Sequence, residues 1–139
     1  MSKVNIQNTI KLVSLQVNKV NFENKRLFLF DDNKEVNQLD LNSSIKFSDD
    51  NKYSFTVEFT TLINNNSIHI EIIYIALFQC EKEITDVFKA SPFVSLNAPA
   101  IAFPFLRSFI TTLTANAGID PIILPAINFA KVNTNPLNK

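Results

Sequence analysis

Any chemistry in this chain has to be built around single residues. His69 is the one histidine and Cys80 the one cysteine among 139 residues. A Ser/His/Asp triad could therefore use no imidazole but that of His69, and neither a His-rich nor a Cys-based metal site can be assembled. His69 falls where an alternating run is still half polar, which suits a satisfied surface or interface residue better than a ligand. Cys80 reads as a small buried hydrophobe; a lone cysteine excludes an internal disulfide and fits a reducing compartment. Gly118 is the one glycine, so no Gly-rich loop exists to cradle a phosphate. The expectation is a protein that is not an enzyme and uses no cofactor and no metal.

Charge narrows the partners in the same way. Lys plus Arg and Asp plus Glu number 13 each, a formal net charge of zero, so no overall field draws the chain to nucleic acid or to an anionic membrane. Partners have to be found by apolar contact or local pattern. The opening residues MSKVNIQNTI contain no continuous apolar run and no small-residue cleavage pattern, unlike a secretory signal, and the cytoplasm is the expected location. The length suits one domain, expected over residues 10–130, with a flexible N-terminus at 1–9 and a short flexible tail at 131–139.

Period-two alternation supplies the elements that would carry any surface. Val13, Leu15 and Val17 alternate with Ser14, Gln16 and Asn18, predicting a strand from Ile10 to Phe22. Leu39, Leu41, Ile45 and Phe47 alternate with polar residues and run into the turn formers Asp49, Asp50 and Asn51. Tyr53 to Ile63 alternates most clearly of all. Asn64, Asn65 and Asn66 then make a hairpin turn into a fourth strand, Ser67 to about Cys80. From Ile72 to Phe78 that strand is apolar on both faces, which implies a cover on each side. Between the first two strands, the polar stretch Glu23–Gln38 carries an apolar island, Leu27 to Phe30.

Glu81 to Lys89 suits one or two helical turns. Beyond it, Pro99 and Pro104 stand near a helix start and Gly118 just past its end, predicting a helix over Ala100–Ala117. Ile101, Phe105 and Phe109 fall on one side, and Ala102, Leu106, Ile110, Leu113 and Ala117 on the next, with Phe103 besides. A helix apolar over most of its circumference is buried on more than one side. One sheet can cover one side, so the other points to self-association. A membrane span is disfavoured by the two prolines, the threonines, Asn116 and Arg107, because a helix-centre Arg costs about 2.5–3.5 kcal/mol on insertion scales.

The ordered residues Asn97-Ala-Pro-Ala-Ile-Ala-Phe-Pro-Phe-Leu-Arg107-Ser-Phe-Ile110, Gly118-Ile-Asp-Pro-Ile-Ile-Leu124 and Ala126-Ile-Asn-Phe129 strongly resemble the bacterial export chaperone family SecB. Val20-Asn-Phe-Glu23 looks like the end of that family's first strand, and Val36 to Asn42 like the entry to its second. The resemblance covers roughly residues 10 to 130 by pattern. It implies an α+β fold, a four-stranded antiparallel sheet with helices on one face, assembled as a dimer of dimers. It also implies that the homotetramer holds unfolded preproteins in apolar grooves without ATP, keeping them competent for export. Holding competes with folding and aggregation by mass action and needs no reactive side chain. A different reading on the same fold is a dedicated adaptor that protects one partner, such as an antitoxin.

The resemblance carries over to particular residues. Leu27, Phe28, Leu29 and Phe30, in the connection that matches the family's crossover loop, are candidate client contacts together with Ile73, Ile75 and Leu77; a core anchor is the other reading of the island. Glu23 and Glu71 match acidic positions that contact the motor SecA, whereas Lys19 stands where that pattern is acidic. Phe103, Phe105, Leu106, Arg107, Phe109, Ile110 and Leu113 are the expected oligomer interface. Arg107 either pairs with an acid there or meets clients. Three further departures are the neutral charge, Pro125 one position early, and the ten residues after Phe129, where typical members continue into another helix and an acidic tail.

Overall fold

The computed structural model describes residues 8–26 and 38–131. Four strands, β1 (Ile10–Asn24), β2 (Gln38–Ser48), β3 (Asn51–Asn64) and β4 (Ile68–Cys80), form one antiparallel sheet in the order β1-β4-β3-β2. β2, β3 and β4 are a meander. β1 lies beside β4, so the connection from β1 to β2 joins opposite edges of the sheet.

The β3–β4 hairpin turns at the predicted asparagines. The Oδ1 of Asn65 accepts from the backbone N–H groups of Ser67 (2.8 Å) and Ile68 (2.7 Å). An Asx turn of this kind shapes the backbone without glycine. Each strand then sends alternate residues to one face. Phe55, Val57, Phe59, Thr61 and Ile63 of β3, and Ile70, Ile72, Tyr74, Ala76 and Phe78 of β4, are buried on the helix side. The opposite, open face carries Ser54, Thr56, Glu58, Thr60 and Leu62 beside His69, Glu71, Ile73, Ile75 and Leu77.

β1 departs from simple alternation. Its register with β4 slips between Leu12 and Ser14 and again between Val17 and Lys19. Each slip is a bulge, an extra residue that reverses which parity faces the core. The helix-side row is therefore Ile10, Leu12, Leu15, Val17, Val20 and Phe22, and Val13, expected to alternate inward with Leu15, is a bulge residue 50% exposed.

Past β4, the short helix α1 (Asp86–Lys89) is capped by Thr85, whose Oγ1 accepts from the Phe88 N–H at 3.1 Å. A π-helical segment, Phe93–Asn97, runs directly into α2 (Ala98–Asn116). Pro99 sits in the first turn, where no intrahelical N–H is needed. Pro104 lies inside the helix and not at its start. Its missing N–H leaves the Ala100 carbonyl without an intrahelical partner, but both residues face water. Ile119 N–H bonds the Thr114 carbonyl and Gly118 N–H the Ala115 carbonyl, both at 3.3 Å, with Gly118 at φ +83°. That is a Schellman ending, which places the sole glycine where a Cβ would be strained.

The chain after Gly118 returns along α2. Thr111 Oγ1 donates to the Ile122 carbonyl (2.8 Å), and the Ile122 N–H donates to Thr114 Oγ1 (2.9 Å), which itself donates to the Ile110 carbonyl (2.8 Å). Held this way, Leu124 and Phe129 reach the core. The Phe129 ring packs edge-on to Phe103 (5.5 Å between centroids) and 6.2 Å from Phe59.

Candidate functional site

No compact catalytic geometry emerges from these elements. Among the described residues no group of three or more His, Cys, Asp and Glu comes together to hold a metal. Cys80 is buried, and burial raises its thiol pKa, the reverse of what activates a nucleophile. What the fold offers instead is apolar surface, on both sides of the sheet.

On the open face the apolar surface is a stripe along β4. Ile73, Ile75 and Leu77 are half-buried there. Their neighbours in register are Thr60, Glu58 and Thr56 on β3 and Lys19, Gln16 and Ser14 on β1. The stripe is one strand wide between polar flanks, and Leu62 widens it at one end into a shallow depression of about 250 Å³ rimmed by Lys19, Glu71, Asp40 and Asn42. Leu27, Phe28, Leu29 and Phe30, the other expected client contacts, lie outside the described residues.

The two candidate acidic residues share this face. Glu23 stands opposite His69, and Glu71 opposite Asn21, two pairs further along the β1–β4 ladder. Glu71 Oε1 accepts from Asn21 Nδ2 at 3.4 Å and lies 3.5 Å from His69 Nε2 and 4.0 Å from Lys19 Nζ. His69 Nδ1 lies 3.4 Å from Asn64 Oδ1, so each nitrogen of the single imidazole has an oxygen neighbour. Lys19, the position that departs from the acidic pattern, is thus ion-paired with one that matches it. Both side chains are well exposed, so the pair adds little stability; its effect is to cancel local negative charge.

On the other side, α2 divides the seven expected interface residues. Leu106 and Ile110 are fully buried, and Phe103 nearly so, against the chain's own sheet and returning segment. They have little or no surface exposed in the single chain. Phe105 and Arg107 face outward, and Phe109 and Leu113 are half-buried. Being exposed in the single chain, Arg107 needs no buried acid to balance it.

Ile101, Phe105 and Phe109 recur every fourth residue and form the outward apolar row of α2. Phe109 stacks on Tyr74 with centroids 5.7 Å apart. Tyr74 is directly opposite Val17 in the sheet, and Val20 opposite Ile72. Val17 and Val20, on edge strand β1, remain 40% and 41% exposed although they point to the helix side, and on α2 Ile101 is 42% and Phe105 47% exposed. Through the Tyr74–Phe109 stack, the apolar row of α2 meets the β1–β4 ladder at Val17. Val17 and Val20 were missed as surface residues by the sequence reading. A signal was present: Leu12 to Leu15 and Val17 to Val20 are spaced by three, the mark of a bulge in a period-two strand.

The stretch Phe93–Asn116 is long and apolar enough to cross a membrane by length and composition, but here its inward row is packed into the core of the sheet domain.

The family model described as "Preprotein translocase subunit SecB" matches residues 3–139. The protein-export protein SecB of Orientia tsutsugamushi strain Ikeda is 30% identical over 146 aligned positions, covering 96% of this chain and 85% of that protein. An uncharacterised protein of Methanocaldococcus jannaschii is 38% identical over 68 residues, 49% of this chain but 43% of its own length. Among solved structures, a SecB-like chaperone of Mycobacterium tuberculosis, in complex with a ChAD peptide from the HigA1 antitoxin, superposes with a TM-score of 0.64 at 12% identity. That match covers 86% of this chain and 88% of the other, and it bears on the fold alone.

Proposed function

The chain belongs to the SecB family, and from that premise we propose that it is an ATP-independent holding chaperone, which binds non-native preproteins through apolar surface and keeps them competent for export. The observation that carries this reading is the apolar surface left outside the core on both faces: Val17, Val20, Ile101 and Phe105 on the helix side, and Ile73, Ile75 and Leu77 on the open face. Monomers seldom leave large contiguous apolar patches uncovered without a binding role.

The two surfaces divide the work. The helix-side surface, continuous with Phe109 and Leu113, associates copies of the chain into a dimer of dimers. The open-face stripe, with Leu27 to Phe30 of the β1–β2 connection, receives clients at several weak sites, so that affinity comes from effective concentration. Family relatives with protein-export names point to a non-enzyme.

Glu23 and Glu71 are the proposed contacts to SecA. The Lys19–Glu71 pair weakens that contact. The same pair favours a second reading, an adaptor dedicated to one partner. Support for it comes from the M. tuberculosis structure, in which a SecB-like chaperone holds an antitoxin peptide. A pull-down from the native host, with and without a block on export, separates the two. Recovery of many signal-bearing precursors that accumulate under the block supports the holding chaperone. Recovery of one partner, indifferent to the block, refutes it in favour of the adaptor.

A further inference from the structure

We infer that the outer edge of β2 receives an extended segment of a non-native polypeptide as a fifth strand. The inference rests on the holding function proposed above and specifies how a client's main chain is held.

The sheet has two edges, and they differ. β1 is interrupted by two register slips, and bulges twist an edge strand away from regular pairing. β2 pairs with β3 from Gln38↔Asn64 to Phe47↔Phe55 without a shift, and slips only at Ser48. It contains no proline, and among the described residues no backbone hydrogen bond reaches it from outside the β2–β3 ladder. Its outward N–H and C=O groups thus form a straight template, roughly 36 Å long at 3.3 Å per residue.

Side chains favour the same edge. On the helix side of β2, Leu39 and Leu41 are buried, but Ile45 and Phe47 are half-buried at the sheet margin. A strand added outside β2, about 4.8 Å away, would place side chains next to both and cover them. Lysine is a common guard on strand edges. Here Lys46 is turned along the open face to Glu58 at 2.9 Å, and Asp40 accepts from Gln38 Nε2 at 2.7 Å. Lys46 is thus ion-paired and Asp40 hydrogen-bonded within the sheet's own residues.

The occupant that fits is an extended chain with apolar residues at alternate positions and little demand on their identity. Main-chain bonds supply affinity in strand addition, and side-chain pockets supply specificity. A shallow margin of this kind gives tolerance. A second copy of β2 is the competing occupant, and the test separates it.

The test uses the full chain and two probes. Hydrogen exchange is followed with and without reduced, carboxymethylated α-lactalbumin. Separately, a fluorescent decapeptide of alternating valine and threonine is titrated, beside two analogues N-methylated at every second amide in opposite phases. The expected result is exchange slowed at least tenfold over Gln38–Ser48 on adding the unfolded protein, and not over Ile10–Asn24. One methylated analogue should lose at least tenfold in affinity while the other binds within threefold of the parent. Equal binding of both analogues, or failure of the parent to bind, overturns the inference. So does protection of β2 that depends on chaperone concentration and not on the probe, which would mark β2 as a self-pairing edge. If β2 stays unprotected while α-lactalbumin is still bound, the edge is wrong and the holding function stands. If α-lactalbumin is not bound at all, both fall.

Discussion

Replacing Thr114 with valine would test how the returning C-terminal segment is held. The side chain is fully buried, and valine preserves its shape while removing the hydroxyl. The Ile122 N–H then loses its acceptor at 2.9 Å, and the Ile110 carbonyl loses the donor at 2.8 Å. The carbonyl lies within α2 and keeps the possibility of its helical bond, so the main penalty comes from the stranded N–H. A buried donor left unpaired costs about 1–3 kcal/mol. Because Ile122 is half-buried and water can reach part of that segment, about 1–2 kcal/mol is expected. For a domain of this size that corresponds to a fall in Tm of roughly 3–8 °C. Urea unfolding of both proteins at one protein concentration measures it, since assembly would otherwise contribute to apparent stability. Thr111→Val removes the bond to the carbonyl of the same residue, Ile122, so the double variant should cost less than the sum of the singles. A Thr114→Val protein as stable as the parent, or strict additivity with Thr111→Val, would refute the claim that these threonines jointly clamp Ile122.

Four further outcomes are expected. Gly118→Ala meets no atom within 4 Å but is forced to φ +83°, so it should destabilise by about 1–2 kcal/mol in thermal unfolding through backbone strain alone. Ile101→Asp combined with Phe105→Asp changes outward residues and should lower the assembled mass by light scattering while the fold persists by circular dichroism. Leu106→Ala, at a fully buried position, should instead cost about 2–5 kcal/mol in urea unfolding. Lys19→Glu removes the cation beside Glu71 and should strengthen SecA binding in a surface-immobilised assay; unchanged or weaker binding counts against an acidic SecA contact on this face.

Much of the fold could be read from the sequence, and the exceptions share a cause. β3, β4 and their asparagine turn were legible because alternation and turn chemistry are local and agree. So was the helix end at Gly118, where only a residue without Cβ is comfortable. β1 was legible as a strand but not in its facing: Val13 obeys alternation with Leu15 until a bulge inserts one residue and reverses the parity. Such a slip is fixed by pairing with β4, which periodicity does not contain. In α2 the difficulty was the opposite. A helix apolar nearly all round gives no period from which to tell the side that meets its own sheet. Phe103, Leu106 and Ile110 were therefore grouped with Phe105, although packing uses the first three internally and leaves the last outside. On the open face, the half-buried row Ile73, Ile75 and Leu77 was legible as apolar because both parities of β4 are apolar there. It could not find that Lys19 reaches Glu71, fifty-two positions away in the chain, since that contact exists only through the β1–β4 register.

The measurement that bears most directly on the account is suppression of aggregation without nucleotide. Unrelated proteins, chemically unfolded and diluted into buffer containing increasing amounts of this chain, are followed by light scattering. Scattering should fall with chaperone concentration for several unrelated clients, in the absence of ATP and unchanged by adding it. Undiminished aggregation of every client tested, or suppression that appears only with ATP, would contradict it.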